Sequence, residues 1–117
     1  MFALTRQVQI ATDHAKGACC RLAGREVPKY EDTEQSFAEL QARITRTREL
    51  VDSFQPGDID GSEARIIELR LGQRELSLPG SQYLLNVALP NFYFHVTTAY
   101  GILRHNGVPI GKRDFLS

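Results

Sequence analysis

The chain has 117 residues, enough for one domain built on a single hydrophobic core. Its 14 basic and 14 acidic side chains cancel, which argues against the basic surplus of a nucleic-acid-binding surface. No apolar run approaches the roughly 18 residues of a membrane span. The amino terminus lacks a basic leader followed by an apolar block, so the cytoplasm is the expected compartment.

Residues 2–23 carry a helical period. Leu4, Val8, Ala11, Ala15, Cys19 and Leu22 recur at spacings of three and four. Gly24 and Pro28 stop the pattern. The stripe is narrow and rich in small side chains, so a neighbouring helix can come close. Phe2 and Ile10 lie off it, and no Ser, Thr, Asp or Asn precedes the first turn as a cap. Cys19 and Cys20 are adjacent. On a helix they diverge by about 100°, which suits neither a relaxed disulfide nor a CxxC metal pair. They read as two reduced thiols.

A second helix is expected after Asp32, with Gln35 completing a capping box and Thr33 as a rival cap. Phe37, Leu40, Ile44, Val51 and Phe54 form its apolar side, Thr47 fills one seat, and Gln55-Pro56-Gly57 ends it. Glu39, Arg43, Arg46, Arg48 and Glu49 read as a solvated face. Beyond a polar loop at residues 58–63 the period falls to two. Ile67, Leu69 and Leu71, then Leu76 and Leu78, give a hairpin around a Gly72-Gln73-Arg74 turn. A lone hairpin is marginal in water, so its leucine face must rest on the helices.

The last helix is expected to start at Ser81, after Pro79-Gly80. Leu85, Ala88, Leu89, Phe92, Val96, Ala99 and Leu103 make a broad apolar face. Asn106-Gly107 closes it, with Pro109 just beyond. Pro90 falls in mid-helix and predicts a kink. The tail reads as irregular, with Phe115 and Leu116 tucked against the helices. The pattern is mainly α: three antiparallel helices in up-down order, one hairpin before the last, and an apolar side without cover.

His95 is the most promising polar residue of the last helix. A two-histidine metal clamp needs its second ligand one turn away, and those seats hold Asn91 and Ala99. His105 is ten residues on, about 15 Å along the helix, where it suits the carboxyl end. Asp13 and His14 diverge by about 100°. Asp13 lies on the side of Gln9 and could pair with His95 across helices, holding the imidazole in one tautomer. His95, Asp13, Gln9 and Asn91 are therefore the candidate cleft residues. No nucleophile elbow or phosphate-binding glycine loop occurs.

Two stretches, "LTRQVQIATDHAKGACCRLAGREVP" and "ALPNFYFHVTTAYGILRHNGVPIGKRDFLS", resemble a bacterial family of unknown function placed with the DinB/YfiT-like four-helix bundles, many of them described as metalloenzymes. The resemblance spans the chain. It implies a bundle short of the usual first helix and a cleft near His95. Better-known members use one histidine from the second helix and an HxxxH pair from the last; here only His95 matches, and Ala99 stands in its companion seat. The expected reading is a homodimer, its uncovered face closed by a second copy, without a conventional three-histidine site. The alternative is a metal- or thiol-dependent transferase or hydrolase, with His95 touching a divalent ion such as zinc or nickel and a small molecule in the cleft.

Overall fold

A computed structural model describes residues 1–116. Helix α1 spans Leu4–Leu22 and helix α2 spans Phe37–Asp52. One turn, α3, follows at Pro56–Ile59. Strands β1 (Ile66–Leu71) and β2 (Arg74–Pro79) form an antiparallel hairpin. The last helix comprises α4 (Gly80–Tyr83), a π-helical turn (Leu84–Ala88) and α5 (Leu89–His105), and a final turn, α6, covers Lys112–Leu116.

Local chemistry sets these boundaries, in places one or more residues from where the sequence points. Helix α1 starts after Ala3 without a side-chain cap. It ends where Gly24, at φ +70°, lets the Arg25 amide reach back to the Cys20 carbonyl at 2.8 Å. The cap of α2 is Ser36, not Asp32 or Thr33. Its Oγ accepts from the Glu39 amide at 3.1 Å, and the Glu39 carboxylate accepts from the Gln35 amide at 2.6 Å. Asp32 is instead drawn into an ion-pair network. Gln55-Pro56-Gly57 does more than end α2: Pro56 begins α3, where its missing N–H costs nothing.

The hairpin register pairs Ile67 with Leu78 and Leu69 with Leu76, so the alternating apolar residues share one face, as the sequence predicts. Its loop is the two residues Gly72-Gln73 rather than three. Gly72 takes φ +62°, as the first position of a type II′ turn requires. The leucine face lies over Leu22, Tyr83, Val87 and Ala88, which with Ile67 form the closed core.

Pro90 brings a π-helical turn rather than a simple kink. The Leu89 amide donates to the Leu84 carbonyl five residues back, widening the helix just before the proline ring must fit. Asn91 Nδ2 donates to the Val87 carbonyl at 2.7 Å and supplies a donor to this region. The helix starts at Gly80 rather than after a Ser81 cap. The tail is a helical turn rather than irregular. Phe115 meets the Tyr100 ring edge-on at 6.0 Å, but Leu116 points outward, contrary to expectation.

α1 is central. It packs most extensively on α5 and next on α2, while α2 and α5 hardly meet.

Candidate functional site

The seams of α1 are polar, and its two flanks do different work. Toward α5, Gln7 is almost wholly buried. Its amide nitrogen donates to the Phe2 carbonyl at 3.0 Å, which leaves its carbonyl oxygen as the acceptor for His95 Nδ1 at 2.6 Å. His95 Nδ1 therefore carries the proton, and Nε2 is left with a lone pair. The His14 ring stacks on His95 at 6.2 Å between centroids, 10° from parallel, and Phe94 meets His95 edge-on at 5.1 Å.

Both imidazoles are held below their ordinary value of 6.5. For His14 the main cause is burial, followed by His95 and the Arg21 charge, with Asp13 opposing. For His95 it is burial, then the Arg6 charge. The sign follows from linkage. The unfolded chain binds more protons at these two sites, so their contribution is complete above the unfolded value and is lost as pH falls from there toward the lowered folded values. Denaturation midpoints should decline below about pH 6.5, and His14→Gln should flatten that decline; a titration with unchanged slope in the variant would remove His14 from the cause.

Toward α2, the sequence reading needs its largest correction. Arg43, expected on a solvated face, is 5% exposed. Its Nε donates to Thr12 Oγ1 at 2.7 Å, one terminal nitrogen to Glu34 and Asp32 at 2.8 and 3.1 Å, and the other to Asp13 at 2.9 Å. Lys16, also buried, pairs with Asp13 at 3.0 Å, and Arg6 with Asp32 at 3.0 Å. Three cations thus meet three carboxylates. Tyr30 lies between the Lys16 ammonium at 3.7 Å and the Arg46 guanidinium at 4.0 Å from its ring centre.

Of the four residues the sequence points to, only His95 stands at the α1–α5 seam with its ring free to act. Asp13 does not pair with His95; it neutralises Arg43 and Lys16 on the far flank of α1. Gln9 is buried beside it, donating to Glu34 at 3.3 Å. Asn91 is spent on the π turn. Gln7 and His14 take their places. The signal for them is helical: Gln7, His14 and Arg21 recur every seven residues along one edge of α1, a spacing the apolar stripe obscures.

The residues present do not fit a resident metal ion within one chain. Ala99 offers no ligand in the seat one turn from His95, and among the described residues no three His, Cys, Asp or Glu side chains converge. Burial pushes the Cys19 and Cys20 thiols upward, with Cys20 adding to the effect on Cys19.

A third feature lies between the seams. A groove of about 570 Å³ runs along α1 over Val8, Ala11, Thr12 and Ala15. Ile44 and Val51 of α2 form one wall, and Phe92, Val96 and Leu103 of α5 the other. The apolar stripes read from the sequence converge here. Phe37, expected in the core, sits on the same side of α2 and is 71% exposed, and Tyr93 on α5 is 53% exposed.

Three helices about a central α1, with a hairpin ahead of the last, define a DinB-like helical fold. A DinB family member from Shewanella denitrificans, solved at 1.83 Å, superposes with a TM-score of 0.87 at 42% identity; the match covers 100% of this chain and 66% of that one. The chain thus spans just under two thirds of that relative's length. The sequence pattern of a domain of unknown function, DUF1993, matches residues 1–116, and the chain belongs to that family. No curated protein matches the chain in sequence. Among the described residues, no helix is long and apolar enough to cross a membrane.

Proposed function

We propose that two copies of the chain close each other's groove, so that the working unit is a homodimeric DinB-like bundle. The observation that carries this reading is the inversion of polarity about α1. The two closed seams bury Gln7, Gln9, Lys16 and Arg43, while apolar side chains of all three helices, Val8, Ile44, Val51, Phe92 and Val96 among them, line an open groove. Folding leaves that face in water unless another surface covers it. Its small-residue floor admits a close helix. Its rim supports a second copy in particular. Arg48 and Asp52 lie one turn apart at the edge, neither held in an ion pair among the described residues. A pairing of the two grooves about a twofold axis that set Arg48 of one copy against Asp52 of the other would be self-complementary, as an isologous contact requires.

Sedimentation across a dilution series tests this. A dimer is expected for the native chain and a folded monomer for Val96→Asp, which puts a charge in the groove wall. A native chain that stays monomeric and folded at high concentration overturns it.

A second reading rests on a separate observation, the unpaired Nε2 of His95. A ring fixed by Gln7 and shielded on one side by Phe94 is suited to accept a proton from a small ligand, a thiol among the candidates, in a transferase or hydrolase reaction. A neutral thiol such as 2-mercaptoethanol should then shift the His95 ring resonances, and a spectrum unchanged by it counts against this reading.

A further inference from the structure

We infer that the α1–α5 seam binds a small oxyanion, carboxylate or tetrahedral, between the Arg21 guanidinium and the His14 ring, on which His95 stacks. This deepens the second reading, that His95 lines a ligand cleft, by naming the charge of the ligand.

The cations of α1 carry the argument. Arg6 and Lys16 each have a carboxylate partner, and so does Arg43 across the α2 seam. Arg21 has none among the described residues. It is half-buried and donates through Nη1 to the Tyr83 hydroxyl at 3.1 Å, a neutral acceptor. Its positive charge is therefore uncompensated where burial makes that costly. The chain places it near the His14 imidazole. Gly17 lies one turn before Arg21, and the guanidinium folds back over it into space that a side chain there would fill. That moves the charge toward His14, three residues further up the helix, close enough to depress its protonation.

His14 makes no hydrogen bond to another described residue, and His95 keeps only the bond through Nδ1. An arriving oxyanion accepts from Arg21, and the His14 imidazole takes a proton from solution to donate a second charged hydrogen bond. The other charged groups nearby are already engaged: Asp13 by Lys16 and Arg43, Arg6 by Asp32. On the opposing helix, Tyr83 bonds Arg21 itself, and Arg104 and His105 lie in the last turn.

The test is a titration with sodium sulfate, whose charge is constant across the neutral range, followed by imidazole NMR at about pH 6 and about pH 8. Sodium chloride at matched ionic strength is the control for screening. The expected result is saturable movement of the His14 and His95 resonances, tighter at the lower pH because binding takes up a proton. Sodium acetate should move the same rings. Arg21→Gln should weaken sulfate binding by about tenfold or more, while Arg21→Lys restores most of it and Tyr83→Phe retains it; thermal midpoints show that each variant is folded. Sulfate and acetate that leave both rings unmoved overturn the inference, as does equal binding by a folded Arg21→Gln. Movement of His95 with neutral 2-mercaptoethanol but not with sulfate also overturns it and leaves the cleft itself standing.

Discussion

Arg43→Ala is expected to lower the stability of the fold by about 3–5 kcal/mol. A domain of this kind has about 5–15 kcal/mol in all, so much of the population should unfold at physiological temperature. The cause is geometric. The Arg43 side chain is 4% exposed and serves Thr12, Asp13, Asp32 and Glu34 together, and Glu34 is itself only 10% exposed. Truncation leaves a buried carboxylate and a threonine hydroxyl facing a void. It also removes the cation that shares Asp13 with Lys16. Asp32→Asn should cost less than about 1 kcal/mol, because Asp32 is 43% exposed and Arg43 keeps its other partners. Urea denaturation of both variants checks the contrast, and comparable losses would show that Arg43 is not the organising charge.

Tyr83→Ala should cost a similar amount, about 3–5 kcal/mol, for a different reason. Tyr83 is fully buried, at 0% exposure, where the end of α1, the hairpin and the π turn converge on Leu22, Ile67, Val87 and Ala88. Removing the ring opens a cavity that these rigid elements cannot collapse. Tyr83→Phe isolates the hydroxyl, which accepts from Arg21 and should account for about 1 kcal/mol. Denaturation midpoints should rank native, Tyr83→Phe and Tyr83→Ala in that order with a wide gap before the last. A small gap would mean that the hairpin, not the ring, closes the core.

The candidate site was less legible in the sequence than the fold. His95 stood out because one histidine in an apolar helix has few partners, and its i±4 seats could be checked by spacing alone. Its true partners could not. Gln7 and His14 lie on the edge of α1 that α5 covers, and which edge is covered depends on how two helices rotate against each other. Asp13 reads equally well as a partner for His95 or for a cation on α2. The choice fell to Arg43, whose reach across the seam no spacing within one helix reports.

The sequence by itself determined the elements. Periods of about 3.6 and 2 placed three helices and a hairpin, Gly24 and Asn106-Gly107 stopped two of the helices, and the alternation of Ile67 to Leu78 set which strand residues share a face. Those are local signals, carried by hydrogen-bond geometry and side-chain spacing within a few residues. Tertiary structure alone decided which faces close. An apolar stripe is expected to turn inward, yet Ile44 and Val51 face an open groove and Phe37 is exposed, while Arg43 is buried. Burial is a property of what lies opposite a side chain, and a charged residue goes inside when the fold brings it enough opposite charge and hydrogen-bond acceptors.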